Sequence, residues 1–209
     1  MTKDIVKFGL LLGLILGFAS PVATLSAQSL PSKAEIEAER SIGVMSAPVT
    51  MIEFASLTCP HCANFHRDVL PAIKKEYIDT GKVRLVYKDF PLDQVATAAS
   101  MMARCAKPSQ YFGLIGILYR NQTKWSRSPD TRGALAGIGK LAGISQATFD
   151  ACLKSQQVFD GVIKDKNEGE KKYKVQSTPT FIINGKKIDG GLPIEQFRKV
   201  LDQSVAAAK

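Results

Sequence analysis

Cysteine and histidine are scarce in this chain: 209 residues hold only four of the first and two of the second. No segment repeats at a fixed period, which excludes solenoids and propellers, and no tract is of low complexity. No basic stripe is interleaved with aromatics, so a formal charge of +9 does not describe a nucleic-acid face. The charge reads as a solvated surface, with attraction to anionic membranes or acidic partners as the weaker account. The longest apolar block, residues 8–18, is too short for a comfortable membrane span. Hydrophobic residues make up 45% and charged residues 22%, so an ordinary core forms without relying on cross-links. The length suits one large domain or a domain with an insertion.

The N-terminus is informative. Lys3 and Lys7 precede the apolar block from Phe8 to Phe18, and small residues follow from Ala19 to Ala27. That is the layout of a secretory signal peptide over residues 1–27, with cleavage near Ala27. A cut after Ala27 puts Leu25 three positions back, and a cut after Ser26 puts Thr24 there, so an uncleaved anchor is the alternative. Residues 28–44 form a lead-in, with a short polar helix from Ala34 to Arg40. Export changes how the cysteines are read. An even number in an exported chain favours disulfides, and Cys59, Cys62, Cys105 and Cys152 allow three pairings.

The chain is organised around Cys59-Pro60-His61-Cys62. Before it, Val49 to Ala55 is apolar on both faces, as at the centre of a sheet. After it, Phe65, Val69, Ile73 and Tyr77 fall at helical spacing, with Pro60 where a helix start tolerates proline and Pro71 set to kink or break the helix. Val83, Leu85 and Tyr87 then alternate with Lys82, Arg84 and Lys88 as a second strand. From Asp93 to about Lys174 strand signals vanish, and four or five helices follow, the last from Gln156 to about Tyr173. The sheet resumes with Thr180 to Ile183, an Asn184-Gly185 turn and Lys186 to Asp189, before a C-terminal helix begun by Pro193. The fold class is therefore α/β: residues 45–92 and 174–209 form one sheet-bearing domain, and 93–173 an all-helical insertion.

Strand, C-x-x-C and helix in that order make a thioredoxin-like redox site. Cys59 precedes the helix, where backbone N–H groups and the helix dipole favour a thiolate; Cys62 lies one turn further in and is the resolving thiol. A static disulfide is the poorer reading, since closing so small a ring constrains the unfolded chain little. His61 is either a stabiliser of the thiolate or a loop histidine without a role. Glu53 is a lone acid in a buried strand, so it is either a proton acceptor beneath the cysteines or an edge-facing carboxylate. His66 reads as a surface residue of the helix, and a zinc site of Cys59, Cys62, His61 and His66 is given little weight; no metal or cofactor is called for. Pro179, in Thr178-Pro179-Thr180, opens a strand and would leave backbone groups near the redox site free if cis, an isomer that sequence does not reveal. Cys105 and Cys152 both lie in the insertion and are predicted to pair, closing about 48 residues for roughly 4 kcal/mol in the chain-entropy picture; two buried thiols are the alternative.

Glu53-Phe54, the Cys-Pro-His-Cys run, Thr178-Pro179-Thr180 and the Asn184-Gly185 hairpin with its helix resemble the DsbA-type periplasmic thiol-disulfide oxidoreductases of the thioredoxin superfamily, over about residues 45–205. The resemblance implies a thioredoxin fold with a helical insertion between its halves. It implies Cys59 as reactive thiolate, Cys62 as resolving cysteine, His61 as thiolate stabiliser, Glu53 as buried acid, Pro179 as cis-proline and Thr178 as a contact for substrate backbone. It further implies a periplasmic monomer that gives its Cys59–Cys62 disulfide to reduced exported proteins and is reoxidised by a quinone-linked membrane partner. The Cys105–Cys152 pair is outside the shared motif. An isomerase or reductase of the same fold is the first alternative, although residues 28–44 are too few for the dimerisation domain that isomerases carry. A non-catalytic chaperone or binding module is the second.

Overall fold

The computed structural model describes residues 30–208, so the expected signal peptide lies outside the described residues. Among the described residues five strands form one sheet in the order β1-β3-β2-β4-β5. They are β1 (Arg40–Ile42), β2 (Val49–Ala55), β3 (Val83–Asp89), β4 (Thr180–Ile183) and β5 (Lys186–Asp189). Only β2 and β3 run parallel; β1 on β3, β4 on β2 and β5 on β4 are antiparallel. The register sets Glu53 of β2 opposite Tyr87 on one side and Phe181 on the other.

Strand β1 adds an edge that the sequence does not announce. The lead-in holds α1 (Lys33–Glu37), closed at its start by a capping box between Ser32 and Glu35. It stops short of Arg40, which enters the sheet. The buried Arg40 guanidinium donates to the carbonyl oxygens of Glu35 and Arg104.

Residues 60–78 form one helical run. In it α2 (Pro60–Asn64) and α3 (Leu70–Ile73) alternate with π-helical turns at Phe65–Val69 and Lys74–Ile78. The sequence predicts a kink or break at Pro71, yet the run continues. Pro71 stands in the first turn of α3, directly after a widened turn, where a missing N–H costs little. This run and α10 (Ile194–Ala207) cover one face of the sheet, burying Val49, Met51, Phe65, Ile73, Phe181 and Phe197 together.

Between β3 and β4 lie α4 (Gln94–Arg104), α5 (Pro108–Arg120), α6 (Gln122–Ser126), α7 (Thr131–Leu141), α8 (Gln146–Lys154) and α9 (Gln156–Tyr173). Periodicity anticipates five of them; α6 is one short turn and leaves no pattern. Helix α9 packs on the second face of the sheet over Phe54, where Gly169 is required: a Cβ there would sit 2.9 Å from two atoms of the Phe54 ring. The remaining helices close a separate core around Met102, Tyr111, Leu118, Trp125 and Phe149, which reaches Cys59, Cys62 and Ala63.

A buried ionic network ties insertion to sheet. Arg104 of α4 donates through Nε to Asp89 of β3 at 2.6 Å, through Nη1 to the Ile36 carbonyl at 2.6 Å, and through Nη2 to Asp165 of α9. Lys88 completes it, 3.0 Å from both Asp165 and Glu168. Asp89 and Arg104 are buried, and Asp89 depends on Arg104 for its countercharge. Replacing Arg104 by Met strands the buried Asp89 carboxylate and leaves Asp165 with Lys88 alone, and the expected loss in urea-unfolding stability is about 3–5 kcal/mol. A loss below about 1 kcal/mol would contradict this assignment.

Candidate active site

Strand β2 delivers the chain at Ala55 to a four-residue turn, and α2 begins at Pro60. Cys59 is the N-cap, in an extended conformation at φ −75°, ψ 120°. Its N–H donates to the Ser56 carbonyl at 3.1 Å, and its own carbonyl accepts the first helical bond from Ala63 at 3.1 Å. Both motif cysteines are free thiols. Cys59 keeps 5% exposure and Cys62 none, so only one sulfur can be reached.

The two sulfurs are driven apart electrostatically. Cys59 falls from an ordinary value of 9.0 to about 5. The largest cause is the hydrogen bond from the Cys62 thiol; burial opposes it, and the Thr178 side chain and the N–H groups of Cys62 and His61 add to it. Burial pushes Cys62 well above 9.0, with the Cys59 sulfur and the Glu53 charge acting in the same direction. When protonated, Cys59 donates to the Thr178 carbonyl at 3.1 Å. The Thr178 hydroxyl is then buried without a hydrogen-bond partner among the described residues, a donor held ready for the thiolate. Thr178–Pro179 is a cis peptide bond, and this loop stands directly against Cys59.

His61 is exposed, and the group by which it bears on Cys59 is its backbone N–H. Glu53 is fully buried under the motif. His66, expected on the surface, is its partner: Nε2 lies 3.1 and 3.0 Å from the two carboxylate oxygens, and the imidazole is only 4% exposed. The reason is the π-helical turn at Phe65–Val69, which widens the helix and breaks the α-helical phase on which the surface reading rests. The His66 ring stacks on Tyr119 at 4.2 Å between centroids. The Tyr119 hydroxyl meets that of Tyr87 at 2.9 Å and donates to the Ser56 carbonyl at 3.3 Å. A buried acid needs a partner, and that need is the one sequence signal that could have nominated His66.

The insertion also grips the motif's turn. Gln122, the first residue of α6, donates both amide hydrogens to main-chain carbonyls, Leu57 at 2.8 Å and Cys59 at 2.9 Å. Thr58 donates to Asp93, the N-cap of α4, at 2.6 Å. Nothing in the sequence pattern marks Gln122. Cys105 and Cys152 are joined across 47 residues, in an apolar cluster with Ile36, Met101, Val158 and Val162 that does not include the motif cysteines. Among the described residues no three His, Cys, Asp or Glu side chains converge as a metal site, and no helix is long and apolar enough to cross a membrane.

A family model described as thioredoxin matches residues 35–203. A Rickettsia typhi protein, provisionally named a protein-disulfide oxidoreductase, is 32% identical over 165 residues, covering 78% of this chain and 61% of that protein. The chain thus spans about three fifths of the length of this relative. A Bacillus cereus protein, provisionally named disulfide bond formation protein D, is 33% identical over 154 residues and covered to 70% on both sides. The crystal structure of Wolbachia pipientis alpha-DsbA1 superposes with a TM-score of 0.76 at 32% identity, covering 81% of this chain and 92% of that one.

Removing the strongest donor tests the electrostatics. Thiolate absorbance of the reduced protein should titrate with a midpoint near pH 5. A Cys62→Ala variant should titrate higher, yet below 9.0, because Thr178 and two backbone N–H groups remain. An unchanged midpoint would remove the Cys62 thiol from the account.

Proposed function

The chain belongs to the thioredoxin family, on its DsbA-type branch, and we propose that it is a thiol-disulfide oxidoreductase that gives the Cys59–Cys62 disulfide to exported proteins. The observation that carries the direction of transfer is the depressed Cys59 pKa. A thiolate stabilised in the reduced enzyme favours electrons arriving at the pair, by about 30 mV for each tenfold in the equilibrium.

A thiolate of the reduced substrate attacks Cys59 Sγ. The Cys59–Cys62 bond breaks as the mixed disulfide forms, and Cys62 leaves with the electron pair and takes up a proton, since burial makes it a poor thiolate. The second substrate thiol loses its proton and attacks the substrate sulfur of the mixed disulfide, expelling Cys59 as a stable thiolate. The substrate has then lost two electrons and two protons. Glu53 and His66 are the buried pair on the Cys62 side, and we assign Glu53 to the proton exchange with Cys62. Thr178 and Pro179 hold the substrate chain against Cys59, and the exposed His61 lines the rim with Phe65, Val69 and Leu192. Cys105–Cys152 is a structural bridge. Its presence, together with the signal-peptide layout of residues 1–27, supports a location outside the cytoplasm, in the periplasm. It acts as a monomer with reduced exported proteins, and a quinone-linked membrane partner removes the two electrons.

Equilibration with glutathione redox buffers tests the direction, with Cys105 and Cys152 replaced by Ser in a parallel sample. A potential well above the thioredoxin value of about −270 mV is expected; one near it would make the protein a reductase or isomerase. A Cys59→Ser variant should leave a reduced, unfolded substrate to oxidise at the background rate. Oxidation above background in that variant would remove Cys59 from the reaction.

Stability gives an independent check. The folded Cys59 pKa of about 5 lies below the ordinary 9.0, so its stabilisation of the reduced fold is complete above pH 9 and gone below about pH 5. The reduced protein should melt above the oxidised one at pH 7, and the difference should shrink steadily on acidification. Equal melting points at pH 7 would contradict this.

A further inference from the structure

In the turn from Ser56 to Cys59, the carbonyls of Ser56, Leu57 and Cys59 each accept a side-chain hydrogen bond from the insertion. The Ser56 carbonyl accepts from Cys59 N–H and from the Tyr119 hydroxyl of α5. The Cys59 carbonyl already accepts the Ala63 N–H, and Gln122 takes its second lone pair. Leu57 is fully buried, and Gln122 bonds its carbonyl. One side chain thus fixes both the peptide plane that enters Thr58 and the one that leaves Cys59. These are the planes that orient the N-cap and the first turn of α2, whose N–H groups face the Cys59 sulfur.

Gln122 is itself held. It is buried, and α6 is fastened to α5 by the Trp125 Nε1–H bond to the Leu118 carbonyl at 2.7 Å. A neutral fork with two donors is what two adjacent carbonyls require. A carboxylate there could not donate and would set a charge against them, and an apolar side chain would leave the Leu57 carbonyl buried without this bond.

We propose that Gln122 is a positioning residue for the reactive sulfur: by clamping the Leu57 and Cys59 carbonyls it keeps the His61 and Cys62 N–H groups aimed at Cys59 Sγ. The insertion then adjusts the redox poise of a motif to which it contributes no reacting atom. This rests on the reading of Cys59 as the reactive thiolate.

The test replaces Gln122 by Met, which keeps the length and removes both donors, with Tyr77→Phe as a control that loses the bond to Asp202 of α10 and does not touch the clamp. Each reduced protein is titrated by thiolate absorbance and each redox pair equilibrated with glutathione. For Gln122→Met the Cys59 midpoint should rise by about one pH unit, and the glutathione equilibrium should move about tenfold toward the oxidised enzyme, or about 30 mV. Tyr77→Phe should lose thermal stability with both values unmoved. A Gln122→Met protein that melts lower but keeps its midpoint and equilibrium within twofold overturns the proposal. A wild-type midpoint near 9 would instead overturn the thiolate reading beneath it. Should Gln122→Met fail to fold, NMR of the wild type decides. The Gln122 side-chain amide protons should exchange at least tenfold more slowly than those of a free glutamine, and should shift when Cys59–Cys62 is reduced. Fast exchange, or no shift, overturns the proposal.

Discussion

A negative charge on sulfur needs donors, and the Cys59 sulfur finds them because that residue caps the start of a helix. The same helix carries Cys62 one turn inward, where burial forbids the charge. Two identical side chains three positions apart therefore acquire opposite preferences. The Cys62 thiol, kept protonated, becomes the strongest donor to its neighbour. This mutual arrangement holds only while the turn before the helix is rigid, and much of the surrounding structure serves that end.

The rigidity comes from the insertion as much as from the sheet. Tyr119, Gln122 and Asp93 reach the turn from α5, the start of α6 and the N-terminus of α4. The insertion is in turn locked onto β3 and α9 by Arg104, whose guanidinium is shared between Asp89, Asp165 and the Ile36 carbonyl. A buried guanidinium with that many acceptors tolerates little displacement, because each lost bond leaves a charge without water. Specific polar contacts thus carry position from the sheet through the insertion to the motif.

Beneath Cys62 a second polar group is buried. Glu53 sits mid-strand on β2, and His66 meets it from the widened turn of the helix. The π-helical turn admits the imidazole to the interior, where it stacks on Tyr119. Tyr119 thereby touches both the buried pair and the Ser56 carbonyl, so the acid beneath Cys62 and the main-chain scaffold of the motif share a residue. Burial also raises the Tyr87 and Tyr119 phenols well above their ordinary values, which keeps this network neutral at its tyrosine end.

Local pattern was enough for the motif, β2 to β5, most of the helices and the pairing of Cys105 with Cys152. Each depends on residues near one another in sequence, on periodicity, or on the parity of a rare residue type. Three features needed the tertiary structure. β1 is three residues long, and only the open edge of β3 makes Arg40–Ile42 a strand. His66 turns inward because a π-helical turn, which no simple periodicity describes, shifts the face of the helix. Gln122 faces Leu57 and Cys59 across more than sixty residues, through an amide that resembles any surface glutamine until two carbonyls are placed before it. The sequence by itself determined which atoms can react, because that chemistry belongs to residue types at fixed spacing. The tertiary structure decided which groups orient and neutralise them, because a buried donor is defined by what folding brings within 3 Å.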